Sequence, residues 1–185
     1  MKKIFCSLMY CFCGLIALAQ PAEVRKAVTE IKYKYLELAE FPDYQRKQAL
    51  IWETDREDGK KYLKAEVIGQ YKNNKLCIIK ESTKIPKGRM MREFYLYKGE
   101  LIFLYEKAEA VENYTDENGQ ARKRMQVIYQ NSFYLKKGKI VQQKPKGEYT
   151  PYPEQPTEAD LAKLFLRMSV DYSKALQKEV FTTKK

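Results

Sequence analysis

Apolar residues are spaced along the chain in two regimes, and the change of period places the elements. Val24, Val28, Ile31, Tyr35 and Leu38 recur at steps of three and four, which predicts one face of an α-helix over Ala22 to Ala39 that ends before Pro42. Ala49 to Thr54 reads as a short strand, followed by a turn at Asp58-Gly59. From Lys61 the period falls to two: Leu63, Ala65, Val67, Gly69 and Tyr71 alternate with Lys64, Glu66, Ile68 and Gln70, the signature of a half-buried strand. Asn73-Asn74 can take the positive φ that a two-residue hairpin needs, so Lys75 to Glu81 is expected to return as the partner strand.

The same device occurs twice more. Phe94-Tyr95-Leu96-Tyr97-Lys98-Gly99-Glu100-Leu101-Ile102 matches Phe133-Tyr134-Leu135-Lys136-Lys137-Gly138-Lys139-Ile140-Val141 at a constant offset of 39 residues. With Lys98-Gly99 and Lys137-Gly138 as central turn residues, Leu96 should face Leu101, Phe94 should face Phe103 and Leu135 should face Ile140. Tyr71 should likewise face Leu76, so that three hairpins contribute to one apolar face. The opposite face would carry Tyr95, Tyr97, Ile102, Leu104, Tyr134 and Val141 among charged residues. Either the tyrosines cover a partly solvated sheet, as antiparallel sheets allow, or they form an aromatic contact surface.

Ala108 to Lys123 is polar, with Asp116-Glu117-Asn118-Gly119 at its tip, and reads as a turn; the ligand spacing and closing glutamate of a calcium loop are missing. Pro151, Pro153 and Pro156 predict an extended connection. Thr157 then caps a second helix, with Asp160 at the third helical position and a stripe of Leu161, Leu164, Phe165, Met168, Tyr172 and Leu176 running to about Lys178. The expected fold is α+β: an antiparallel meander of about six strands, spanning residues 48–145, packed by an N-terminal helix and a long C-terminal helix over 157–178.

The first 19 residues do not belong to that domain. Lys2 and Lys3 precede an apolar run from Ile4, and Ala17-Leu18-Ala19 is a small-x-small cleavage pattern, so residues 1–19 read as a signal peptide and residues 20–185 as a single exported domain. The run stops at Ala19, short of the roughly 20 residues of a spanning helix, and no transmembrane helix is expected after cleavage. Cys6, Cys11 and Cys13 leave with the leader, so Cys77 cannot find an internal disulfide partner and is expected to be buried beside Leu76, Ile78 and Ile79. The destination is the periplasm, the outer membrane or the exterior.

Composition narrows the chemistry. The chain of 185 residues has no histidine, which excludes catalytic triads and histidine-ligated metals; no catalytic residue, metal ligand or cofactor is expected. A carboxylate-dependent enzyme remains as an alternative through Glu53, Asp55, Glu66 or Glu81, but no spacing singles out a pair. Thirty-five Lys and Arg against 24 Asp and Glu give a formal charge of +11. Lys84, Lys87, Arg89 and Arg92 precede the second hairpin; Arg122, Lys123 and Arg124 precede the third; Lys136, Lys137, Lys139, Lys144 and Lys146 occupy its turn and exit. Adjacent hairpins would gather these groups at one end of the sheet, where they would attract an anionic envelope glycan or lipid rather than nucleic acid, or would only guard strand edges. The candidate ligand-binding residues are therefore Tyr95, Tyr97, Tyr134, Lys136, Lys137, Lys139, Arg122 and Arg124, with an anionic envelope polymer or a protein as partner.

The tandem aromatic-Tyr-x-x-x-Gly-x-aliphatic hairpins, behind a leader and an amphipathic helix, resemble a group of exported proteins of Gram-negative bacteria that is MORN-like in appearance. The resemblance covers Val24 to Lys144. It implies export and a hairpin sheet, and no activity or ligand comes with it. The turn here is Lys-Gly rather than Asn-Gly, and the helix after Thr157 is an addition to the group's pattern.

Overall fold

The computed structural model describes residues 21–147, 151–152 and 154–181. The expected leader over residues 1–19 lies outside them, as does Pro153. The elements are α1 (Ala22–Ala39), β1 (Gln45–Thr54), β2 (Lys61–Lys72), β3 (Lys75–Ile85), β4 (Gly88–Tyr97), β5 (Glu100–Thr115), β6 (Ala121–Lys136), β7 (Lys139–Lys146) and α2 (Glu158–Gln177). The strands form one antiparallel sheet in the order of the sequence, β1 to β7. The architecture is α+β with seven strands, one more than the apolar pattern suggests, and both cores lie within residues 21–181.

The turns explain the meander. Asn73-Asn74 (φ 52° and 59°), Lys98-Gly99 (54° and 83°) and Lys137-Gly138 (51° and 72°) put both central residues in the left-handed region, the type I′ geometry whose twist suits two-residue hairpins. All three lie at one end of the sheet, called here the turn end. The opposite, far end carries the turn at Pro86-Lys87, with Lys87 at φ 65°, and the turn over residues 116–120.

Each turn-end hairpin also carries a bulge at the third residue of its returning strand. Tyr71 pairs with Leu76 but Gln70 with Ile78; Leu96 pairs with Leu101 but Tyr95 with Phe103; Leu135 pairs with Ile140 but Tyr134 with Gln142. Cys77, Ile102 and Val141 are the extra residues. The slip changes faces: Phe94 pairs with Leu104, not with the expected Phe103.

Both faces of the sheet are therefore cores. On one, Val67, Ile79, Phe94, Leu96, Leu101, Leu104, Phe133 and Leu135 pack under Leu161, Phe165, Tyr172 and Leu176 of α2. On the other, Ile78, Tyr95, Phe103 and Tyr134 pack under Val28, Ile31 and Leu38 of α1, with Tyr35 stacked on Phe103 at 4.2 Å. The result is three layers, helix on sheet on helix. Thr157 caps α2 as expected, accepting from the Asp160 backbone N–H at 3.2 Å.

Two features of the sheet position the site. The β3–β4 ladder starts at Ile78–Tyr95 and the β5–β6 ladder at Phe103–Tyr134, so toward the turn end the three hairpins leave the sheet as separate fingers. The bulges supply the bend and extra twist that part them. At the far end, β5 and β6 outrun β4, whose pairing stops at Gly88–Ala110, and continue as a two-stranded arm through Val111–Met125 to Thr115–Ala121. Much of the polar stretch 108–123 is thus strand rather than loop.

Candidate basic cleft at the turn end

Between the first and second fingers lies an open cleft of about 1030 Å³. Lys72, Asn73, Lys75, Leu76 and Cys77 line it from the first finger, and Leu96, Tyr97, Lys98 and Gly99 from the second. Glu37 and Leu38 of α1 close one side, and Ser169, Val170, Ser173, Lys174 and Gln177 of α2 the other. The meander, the bulges and the two helices that end near the fingers all contribute walls.

The cleft carries four ammonium groups, Lys72, Lys75, Lys98 and Lys174, and one carboxylate, Glu37, in its described lining. None of the four lysines makes an ion pair among the described residues. Lys72 Nζ rests 4.2 Å from the centre of the Phe41 ring, while Lys98 and Lys34 flank Tyr97 at 5.6 and 5.0 Å. These ring faces hold the ammonium groups without neutralising them. The Cys77 thiol points to the Lys75 carbonyl at 3.4 Å, and burial pushes its pKa up, which keeps it a protonated, weakly nucleophilic group.

The residues expected from sequence to bind a ligand are divided by the fold. Tyr97 lines the cleft. Tyr95 and Tyr134 are buried beneath α1, and Tyr95 donates to Glu93 Oε2 at 2.7 Å, so neither belongs to an open aromatic surface. α1 lies across the part of the tyrosine-bearing face that holds Tyr95 and Tyr134, and leaves Tyr97 at its edge.

Lys136, Lys137 and Lys139 sit at the turn end on the third finger, outside the cleft lining. Lys136 reaches Glu30 of α1 at 3.6 Å, and the Lys137 backbone N–H donates to Glu100 Oε1 at 2.7 Å. Arg122 and Arg124 lie at the other end of β6, about 45 Å away at the rise of an extended strand. There Arg122 pairs with Asp116 at 2.9 Å and Arg124 with Glu112 at 2.6 Å. The expected single basic end is therefore two ends, because β6 is long and its two termini point opposite ways.

A second group of charges escapes the sequence reading. Glu81, Arg92, Glu106 and Asn131 are cross-strand neighbours on β3, β4, β5 and β6, and form a polar row under α2. Arg92 Nε donates to Glu106 Oε1 at 2.6 Å, and its Nη1 donates to both oxygens of Glu81 at 3.2 Å. Thr83 donates to Glu81 at 2.6 Å, the Tyr129 hydroxyl to Glu106 Oε2 at 3.2 Å, and Tyr152 to Glu106 Oε1. Burial, then the adjacent carboxylate, holds Tyr129, Tyr152 and Tyr172 well above the usual tyrosine range. Burial alone would pull Arg92 down, but Glu81 and Glu106 together outweigh it and hold the guanidinium fully charged.

A signal for this row exists in the sequence. Each member stands two residues from an inward apolar residue: Ile79, Phe94, Leu104 and Phe133. Only the register, which depends on the bulges, shows that they meet. A pocket of about 340 Å³ borders the row at Tyr129, Asn131 and Tyr152. Glu106 itself is 0% exposed, so the carboxylate pair is closed to solvent, and the row acts as a clasp across four strands.

No cluster of histidine, cysteine or acidic residues among the described residues could hold a metal ion, and no described helix is long and apolar enough to cross a membrane. No known protein family, curated protein sequence or solved structure matches the chain.

Proposed function

We propose that the protein is an exported, non-catalytic binding module of the cell envelope that holds an anionic ligand in the cleft between its first two hairpin fingers. The observation that carries this reading is the convergence of four ammonium groups on one concave site. The far-end guanidinium groups of Arg89, Arg122 and Arg124 are each matched to a carboxylate, whereas Lys72, Lys75, Lys98 and Lys174 converge on one cleft without an ion pair among the described residues. Converging like charges raise one another's energy, and an incoming anion relieves that repulsion. Export rests on the basic start, the apolar run and the Ala17-Leu18-Ala19 pattern. A carboxylate enzyme is the weaker reading, because the buried Glu81 and Glu106 already share Arg92 and tyrosine or threonine hydroxyls.

Two measurements test the reading. The mass of protein recovered from a Gram-negative host should correspond to a chain starting at Gln20; an intact Met1 form in the cytoplasm overturns export. Tripolyphosphate, titrated into the protein and followed by NMR, should shift amides around Lys72, Lys75 and Lys98 and lose its effect in high salt. Lys75→Glu with Lys98→Glu should weaken it at least about tenfold, since each surface lysine contributes about 1 kcal/mol to an anionic contact. Shifts centred on Arg122 and Arg124, or spread evenly over both ends, overturn the assignment.

A further inference from the structure

Resting on that reading, the structure assigns the cleft a ligand of narrower chemistry: we infer that it takes a free single-chain amphiphilic anion, with the acidic head on the lysine rim and the alkyl chain on the floor. The rim and the floor differ in kind. Lys72, Lys75 and Lys98 stand on the fingers, while Leu38, Leu76, Leu96 and Val170 reach the cleft from four separate elements. Val170 is half-exposed and Leu76 partly so, while Leu38 and Leu96 are mostly buried behind them, so the apolar floor beside the charges is carried chiefly by Val170 and Leu76 where the fingers part.

Three polar groups of the floor, Ser169, Ser173 and Cys77, are already engaged. Ser169 Oγ donates to the Leu166 carbonyl at 2.8 Å, Ser173 Oγ donates to the Ser169 carbonyl at 2.6 Å, and Cys77 donates to the Lys75 carbonyl. A glycan brings many hydroxyls that need partners, and the protons of Ser169, Ser173 and Cys77 are committed to backbone carbonyls instead. An alkyl chain needs only removal from water. The cleft, at about 1030 Å³, is at the upper end of the range of small-molecule sites, which are largely apolar with a few placed polar groups.

The test titrates butyl, octyl and decyl phosphate, each below its micellar threshold, into protein starting at Gln20, with decylphosphocholine and phosphatidylglycerol vesicles as comparison probes. Affinity should climb with chain length by up to about fourfold per methylene, the free energy of withdrawing a CH₂ from water. The zwitterion should bind at least tenfold more weakly than decyl phosphate. Val170→Asn, a neutral polar change at a position 49% exposed and so free of core strain, should weaken decyl phosphate at least about fivefold and leave butyl phosphate within about twofold.

Equal affinity for butyl and decyl phosphate overturns the inference and leaves the anion site standing. Binding to vesicles without binding to the monomeric amphiphiles also overturns it, in favour of a membrane surface. Absence of binding by every probe, tripolyphosphate included, overturns both readings.

Discussion

Among the described residues, Arg92 is the one cation in contact with two buried carboxylates, and its removal would leave Glu81 and Glu106 without that cation beneath α2. Breaking a buried ion pair by deleting one partner costs about 3–5 kcal/mol, because the remaining charge keeps its desolvation penalty. Arg92→Met should lower the unfolding free energy by that amount in a denaturant titration. Arg92→Lys should recover only part of it, since one ammonium cannot reproduce the forked donation to Glu106 and to both oxygens of Glu81. An unchanged midpoint in Arg92→Met would show that the row does not stabilise the sheet. At this scale the sequence is legible by residue type and opaque by partner. Glu81 reads as one carboxylate among several, and its relation to Arg92 and Glu106 exists only once the strands are in register. The burial of Cys77 was readable, because Ile78 and Ile79 follow it, whereas its place as a bulge residue on the cleft wall was not.

The hairpins show where local preference yields to another requirement. Lys98 and Lys137 occupy left-handed turn positions at φ 54° and 51°, where asparagine or glycine is favoured, and Lys87 does the same at the far end. Lys98→Asn and Lys87→Asn should each stabilise the protein by a few tenths to about 1 kcal/mol in thermal or chemical unfolding. Lys98→Asn alone should also weaken anion binding, because Lys98 lines the cleft and Lys87 lies across the sheet. Equal binding loss in both variants would detach the effect from the cleft. The hairpin around Asn73-Asn74 is a third copy of the repeat, with Gly69 where Phe94 and Phe133 stand in the others. A Cβ on Gly69 would lie 2.7 Å from Leu176 Cδ1 and 2.9 Å from Tyr71 Cε2, so the end of α2 occupies the space of a third phenylalanine. That substitution hides the copy from sequence comparison, and Gly69→Ala should cost about 1–3 kcal/mol by overpacking. Helix limits were legible because one apolar stripe defines each. The arm of β5 and β6 was not, because it extends beyond the covered sheet and lacks a clean alternation of period two.

For the molecule as a whole, the second core is what the apolar pattern leaves undecided. A face of tyrosines and aliphatic residues can lie in water or under a helix, and α1 could have joined α2 on the other side; the depth at which Tyr95 and Tyr134 lie settles it only in three dimensions. That burial has a consequence in alkaline solution. Burial is the main cause holding Tyr44 up at about 12, and it keeps Tyr95, Tyr129, Tyr152 and Tyr172 well above their ordinary range near 10. The unfolded chain therefore releases phenolic protons at a pH where the folded chain retains them. Stability falls wherever the unfolded state binds fewer protons, so this contribution is whole below about pH 10 and is lost as pH rises through the folded-state values. Lysine deprotonation acts the other way, since a chain of formal charge +11 loses self-repulsion as its ammonium groups neutralise. A fall in the urea midpoint between pH 9 and pH 11 is thus the expected outcome only if buried tyrosines dominate; a flat or rising midpoint assigns control to the lysines. Tyr44→Phe identifies one contributor: it loses the hydrogen bond to the Leu38 carbonyl, costing about 1 kcal/mol at pH 8, yet its profile should be shallower than that of the wild type above pH 10.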